Sequence, residues 1–431
     1  MPRIRDVVAR KVFDSRGVET LEVEILTEHG SGRVAAPFGA PGSRGQFEVP
    51  AYPEGGVDAA VKVVTEEIRP KILGAMATEQ GKIDEILCLI DGTGTFARIG
   101  GNTASSISLA VAKAAASALG MPLYRYLSRG GKTEAPRPLG NIIGGGAHAK
   151  GSAPDMQEHL VVPLGPVDVR KSVLVNIEVH QRTGQILEAR DPFFAGGMDD
   201  ERAWVANLTD VEALETISIV CEEMERKRGI RLGIGLDLAA DRLWNSGTGH
   251  YEYRRERKRR TAAEQLSWLS ELIERYNLVY VEDPFHSDDY ESFAALTQKY
   301  GSKCLICGDD LLASSADRLQ KAIELGSVNA MVLKLNQVGT ITKLLETINL
   351  AREAGIVMVI SHRSGETEDV SISHFALAWG MSLIKTGVIG GERISKLNEL
   401  LRIGEGYPTV SVNQLLALGG GHEGRVHNEA C

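Results

Sequence analysis

Cysteine is scarce in this chain of 431 residues: there are five, scattered and odd in number, at positions 88, 221, 304, 307 and 431. That argues against a disulfide framework and for a reducing, cytoplasmic location. Cys304 and Cys307 have CxxC spacing, but they sit in an apolar run with no second pair, so core packing is expected rather than zinc or redox chemistry. Positive charge is not in excess either. A net charge of −9 gives no global field to draw nucleic acid or an anionic membrane, and neither is expected as a partner. No uninterrupted apolar run is long enough to span a bilayer, and the opening Met1 to Asp6 has no apolar signal core.

The second half of the chain holds six apolar runs, each ending in charged or polar residues. They are RLGIGLD ending at Asp237, NLVYVED at Glu282 and Asp283, KCLICGDD at Asp309 and Asp310, AMVLKLN around Lys334, IVMVISHRS at His362 and Arg363, and MSLIKTG at Lys385. Successive landmarks lie roughly 25 to 45 residues apart, about one strand plus one helix. Repeated units of this kind predict an α/β fold with a (β/α) barrel, in which polar residues at strand C-termini face the active site. Three acids, two lysines and an arginine at one mouth point to metal-assisted chemistry on an anionic small molecule.

The first 130 or so residues follow another pattern. Strands are expected over 7–12 and 20–27, separated by the turn Asp14-Ser15-Arg16-Gly17, with Leu21, Val23 and Ile25 alternating onto one face. A Gly/Pro-rich loop follows over 35–56, then helices over 57–73, 79–89 and 103–119. Glycines and prolines between 122 and 138 place a domain boundary there, giving domains 1–132 and 133–431. The basic run Tyr253 to Arg260 is expected to be a solvated loop, and Thr261 to Glu264 fits a capping box opening the next helix.

Asp237, Glu282 and Asp309 are hard oxygen donors suited to Mg²⁺. Any one of them alone better fits a helix cap, but three at one mouth would crowd negative charge without a cation. In the strand around Lys334, residues 332, 334 and 336 share the face turned to the barrel interior. A lysine there, beside a metal and Lys385, is expected to have a lowered pKa and to act as a base; a structural salt bridge to the acids is the alternative. His362-Arg363-Ser364-Gly365 offers a forked donor, a hydroxyl and backbone N–H groups for phosphate, or else an ordinary helix-entry turn. His148 lies in the glycine-rich loop Gly144 to Ala149.

The sequence resembles the enolase family. The match is carried by Ser361-His-Arg-Ser-Gly-Glu-Thr-Glu-Asp369, Ala9-Arg-Lys-Val-Phe-Asp-Ser-Arg-Gly17, Ser108-Leu-Ala-Val-Ala-Lys113, Met156-Gln-Glu158, Val281-Glu-Asp-Pro-Phe285, Gly308-Asp-Asp-Leu311, Leu333-Lys-Leu-Asn-Gln337 and Ile384-Lys-Thr-Gly387, in family order over nearly the whole chain. The resemblance implies a TIM-type (β/α)8 barrel of the enolase kind, with one early strand antiparallel and an N-terminal α+β domain capping it. It implies reversible dehydration of 2-phosphoglycerate to phosphoenolpyruvate and a homodimer or higher homo-oligomer. Asp237, Glu282 and Asp309 would hold Mg²⁺, Lys334 would remove the C2 proton, and Lys385 would bind the substrate carboxylate. Arg363 and Ser364 would take the phosphate, with Gln157 also binding substrate. His148 and His362 would close over the substrate, Glu158 would help handle the departing hydroxyl, and Glu201, in the segment Asp200 to Leu208, would be the general acid.

Three places depart from the family pattern. Phe38 stands where the family's first-loop serine helps bind the second of its two magnesium ions, leaving Ser43 as the substitute ligand. Arg202 and Ala203 replace a glycine pair after Glu201, and an arginine there is expected to weaken the acid if it points inward. His148 and Glu158 are spaced about one residue wider than usual, with Lys150 between them. These departures raise two alternatives: the same proton abstraction on a different anionic carboxylate, or a binding protein without catalysis.

Overall fold

The structure, a computed structural model, describes residues 2–39, 45–128 and 134–410. Ser43, Cys431 and the expected boundary at 132/133 lie outside the described residues.

Period-two alternation builds the first sheet. Strands β1 (Ile4–Phe13), β2 (Glu19–Thr27) and β3 (Ser31–Ala35) pair antiparallel in that order. Leu21, Val23 and Ile25 are fully buried on the face that the alternation predicted. The alanine-rich helix Gly101–Ala118 covers the sheet. It approaches so closely that a Cβ on Gly32 would lie 2.2 Å from the carbonyl oxygen of Ala110, which is why small residues dominate both surfaces. The helices expected over 57–73 and 79–89 form as a helical run from Gly56 to Ile72 and as Gln80–Asp91.

The remaining strands in chain order are β4 (Arg137–Gly144), β5 (Glu158–Pro163), β6 (Leu232–Asp237), a small sheet of β7 (Trp244–Asn245), β8 (His250–Tyr253) and β9 (Lys258–Arg260), then β10 (Tyr280–Glu282), β11 (Leu305–Gly308), β12 (Ala330–Leu333), β13 (Val357–Ser361) and β14 (Leu383–Gly387). Eight of them close a barrel in the order β10-β11-β12-β13-β14-β4-β5-β6. All neighbours are parallel except β5, which runs antiparallel to both β4 and β6. The barrel interior is packed by Leu139, Leu160, Val162, Tyr280, Leu305, Cys307, Val332, Val359 and Leu383. Cys304 and Cys307 are both fully buried, Cys307 inside the barrel and Cys304 in the core outside it, so they are packing residues on opposite faces of the wall.

The N-terminal sheet and helices dock on the barrel mouth through the residues that carry the family resemblance. Lys113 Nζ pairs with Asp369 at 2.5 Å, and Ser15 and Glu366 exchange hydrogen bonds (Ser15 N–H to Glu366 O, 2.7 Å; Glu366 N–H to Ser15 Oγ, 3.1 Å). Phe38 pairs its backbone with Gly365 at 2.8 and 2.9 Å.

Within the basic run at 253–260, Arg254, Arg257, Lys258 and Arg259 are exposed, as expected, while Arg260 is buried. Most of the run belongs to β8, β9 and their turn, with the Arg260 guanidinium buried over the Trp268 ring (3.6 Å) and held by Glu256 at 2.9 Å. Flat stacking of a weakly hydrated guanidinium on indole lets a charge sit in the core, a geometry that composition does not reveal. The capping box at Thr261 and Glu264 forms as expected and opens the helix Ala262–Tyr276.

Candidate active site

The antiparallel β5 explains how Glu158 reaches the site. Because the strand runs backwards, its first residue lies level with the last residues of its neighbours: Glu158 pairs with Gly144 on one side and Asp237 on the other. Glu282 pairs in register with Asp237 on β6, and Ser361 with Lys385 on β14. One end of the barrel thus collects His148, Gln157, Glu158, Glu201, Asp237, Asp309, Lys334, His362, Arg363, Ser364 and Lys385 around one small cavity. Glu282 lies just beneath, fully buried and bonded to Lys385.

The two lysines organise the acids. Lys385 Nζ lies 2.8 Å from Asp237 Oδ2, 2.9 Å from Glu282 Oε1 and 3.1 Å from Glu158 Oε1. Lys334 Nζ pairs with Asp309. In the metal-free chain burial works against the charge of Lys334, but Asp309 and then Glu48 outweigh burial and hold it above the ordinary lysine value; the expected lowering belongs to a lysine beside a bound metal. Acids still outnumber cations. Glu282 is pushed up to about 8 by burial first and by Asp237 second, and burial together with neighbouring carboxylates also raises Asp283 and Asp310. Asp283, Asp309 and Asp310 bring oxygens within 4.8 Å of one another. Asp283 and Asp309 are buried and Asp310 half-buried, a set of hard oxygen donors that could hold a divalent cation; it shares Asp309 with the expected set of Asp237, Glu282 and Asp309.

Glu201 sits on the opposite side. Asn141 Nδ2 donates to its Oε2 at 3.1 Å, and His362 Nε2 faces the same oxygen at 3.1 Å. Arg393 Nη1 approaches His362 Nδ1 at 2.7 Å. Since arginine only donates, Nδ1 accepts and the ring proton is on Nε2, which lies close to Glu201 without forming a hydrogen bond to it. Burial pushes His362 down to about 4, which keeps the imidazole neutral. Burial alone would raise Glu201, but His362 and His148 pull it below the usual range, whereas burial and Glu201 push Glu158 well above it. Of these two carboxyls, Glu158 holds the proton in the substrate-free chain.

Arg202 turns away from Glu201. Its guanidinium lies 3.4 Å from Glu392, and its backbone is left-handed at φ +69°. A left-handed position is where glycine is free of strain, so the family's glycine there has a local cause, and the arginine costs on the order of 1 kcal/mol of backbone strain without touching the acid.

Several site residues escaped sequence reasoning. Glu48, hidden in the Gly/Pro-rich loop, grips Arg363 Nη2 with both carboxylate oxygens at 2.9 Å, while Arg363 Nη1 donates to Asn336 at 3.0 Å. Nothing in the local sequence signals Glu48. Asp310 adjoins Asp309 in an Asp-Asp pair and was visible as a neighbour. Arg393 lies in a helix after the last strand, and only the fold brings it to His362.

Asp210 positions the Met156-Gln157-Glu158 segment by accepting the Met156 N–H at 2.9 Å; its other oxygen is buried without a partner. Burial raises its pKa to about 7. The unfolded carboxyl ionises near 3.8, so between about pH 4 and 7 the native state binds the extra proton and stability falls as pH rises. Asp210→Asn is expected to be isostable with the parent near pH 4 and progressively more stable up to pH 7, by a few kcal/mol at most, then by a constant margin above. Urea unfolding across that pH range checks the sign.

Residues 4–127 match the family model described as enolase, N-terminal domain, and residues 132–413 match enolase, C-terminal TIM barrel domain. The chain belongs to the enolase family. It is similar to the enolase of Methanothermobacter thermautotrophicus, 47% identical over 405 residues that cover 94% of this chain and 97% of that one. Enolases of Pyrobaculum aerophilum (42% over 409 residues; 94% and 96% covered) and Methanocorpusculum labreanum (43% over 409 residues; 94% and 100% covered) are likewise similar. The enolase barrel expected from the motifs is the one observed, antiparallel strand included.

Proposed function

We propose that this protein is a phosphopyruvate hydratase, a hydro-lyase that interconverts 2-phosphoglycerate and phosphoenolpyruvate. The observation that carries this reading is the convergence of two buried lysines, a shared acid set and a carboxyl–histidine pair on one cavity, in a chain of this family. The alternatives of a different carboxylate substrate or a non-catalytic role lose one of their three motives because Arg202 points away from Glu201, and similarity to enolases over most of the chain does not favour them.

Lys385 is placed to meet the substrate carboxylate, and Arg363 and Ser364 to meet the phosphate, with Glu48 yielding part of the Arg363 fork. A lysine or histidine base working beside magnesium is a known pattern of enolase-superfamily sites. Asp237, Glu282 and Asp309 would hold Mg²⁺, with Gln157 hydrogen-bonding Asp237 at 3.3 Å. Bound there, the metal supplies positive charge to the substrate carboxylate as its oxygens gain charge. Lys334 loses the partner that holds its proton when Asp309 serves as a ligand, and Lys385 and Arg363 then favour its neutral form, so that Nζ can take the proton from C2. Loss of hydroxide from C3 requires a proton donor. Glu201 is that acid: an anionic substrate beside it raises its pKa, and Glu158 and the two histidines supply the proton and the enclosure. The second magnesium ion of the family has no ligand in Phe38, and Ser43 is the remaining candidate. The same reading carries a cytoplasmic role in glycolysis and gluconeogenesis, two domains and a homodimer or higher homo-oligomer. No described helix is long and apolar enough to cross a membrane.

Phosphoenolpyruvate absorbs in the ultraviolet, so turnover of 2-phosphoglycerate with magnesium tests the reading directly. Chelation by EDTA is expected to abolish turnover. Magnesium at about 100 times its Kd should stabilise the fold by about 2.7 kcal/mol, seen as a raised Tm. A folded protein whose Tm responds to magnesium but which forms no phosphoenolpyruvate would refute the assignment.

A further inference from the structure

The basic run between Tyr253 and Arg260 plays no part in this chemistry, and its charges are unequally neutralised. Lys258 and Arg260 pair with Glu256 at 3.6 and 2.9 Å, and Arg259 with Glu252 at 3.3 Å. Arg255 is tied to Asn207 and to the carbonyl of Leu208. Among the described residues, no acid pairs with the guanidinium of Arg254, Arg257 or Arg242, and all three are exposed. All three line one open groove. Its two acids are already engaged: Asp155 accepts the backbone N–H groups of Arg254 and Arg255 at 3.1 and 2.8 Å, and Glu252 is the partner of Arg259. The opposite wall is the loop from Gly146 to Asp155, which carries His148, and Arg242 borders both this groove and the active-site cavity.

Unopposed positive charge at that place has a physical consequence. The chain carries −9 overall, and its cavity is lined by carboxylates. A phosphorylated carboxylate approaching from solvent is repelled except where local charge reverses the field. We propose that the groove is the anion-collecting entrance to the site, in which Arg242, Arg254 and Arg257 bind the incoming phosphorylated carboxylate before it passes Arg242 into the cavity. The proposal rests on the hydratase reading above. Focusing of this kind raises association by about 10- to 1000-fold and weakens as salt screens it.

The test is kcat and kcat/KM for 2-phosphoglycerate in the full chain and in Arg254→Gln/Arg257→Gln, at ionic strengths from about 0.01 to 1 M. At low salt the double variant should lose about 10-fold in kcat/KM, with kcat retained and the gap closing at high salt. Arg254→Lys/Arg257→Lys should keep most of the parental value. An unchanged kcat/KM with an unchanged salt slope overturns the proposal. So does an unchanged kcat/KM accompanied by lost binding of a long polyphosphate, which would assign the groove to a polyanion. If the parent shows no turnover, the hydratase reading fails separately. Calorimetry with inorganic phosphate then decides for the groove: weaker binding in the Gln variant supports it, and equal binding overturns it.

Discussion

Lys334→Ala is expected to lower kcat by about a thousandfold or more, the upper range for loss of a positioned base. The structure separates this effect from folding. Lys334 is buried against Asp309, so the variant strands a carboxylate, but Asp309 adjoins Asp310 and Asp283 in a cluster that can share protons or a cation. The diagnostic readout is exchange of the C2 proton of 2-phosphoglycerate with deuterated solvent. Lys334→Ala should lose exchange and dehydration together. Glu201→Gln should lose dehydration while exchange persists, because in the proposed mechanism the acid acts on the leaving hydroxyl and not on C2. Exchange persisting in Lys334→Ala would move the base to another residue.

Lys385→Met should be the most destabilising change at the site. The ammonium bonds Asp237, Glu282 and Glu158 at once, and all four residues are buried. Removing one partner of a buried ion cluster leaves uncompensated charge, at a cost of about 3–5 kcal/mol. The mechanism makes a second claim: removing an acid as well should recover part of the loss. Asp237 is the partner that Lys385 holds ionised, so Lys385→Met/Asp237→Asn should be more stable than Lys385→Met in denaturant unfolding without metal. If the double variant is less stable than the single one, the cost lies in packing and the charge argument fails.

The legible and illegible parts of the site divide along a physical line. Asp237, Glu282, Asp309, Lys334, His362 and Lys385 end or follow apolar strands, so hydrophobic periodicity marks their positions, and the barrel brings them to one mouth. Gln157, Glu158 and Glu201 were reached through family motifs. Glu158 in particular begins a strand, and the generic rule about strand C-termini would place it at the wrong end, because that rule assumes parallel strands and β5 is antiparallel. Glu48 and Arg393 were missed because each lies far along the chain from its partner, 315 residues for the Glu48–Arg363 pair and 31 for Arg393 and His362. In the charged run at 253–260 only Arg260 departs from the expected exposure, because composition cannot tell a guanidinium stacked on indole from one in water.

By itself the sequence determined the element types, the barrel, the identity of the strand-end residues and the family, since each follows from local periodicity and contiguous motifs. Only the tertiary structure decided the electrostatics. It set which acid each lysine neutralises, why Lys334 keeps its proton until Asp309 is otherwise engaged, which imidazole nitrogen faces Glu201, and that Arg202 points outward. Those outcomes depend on distances of a few ångströms in a low-dielectric interior, where Coulomb energies are several times larger than in water and change sign with the nearest neighbour.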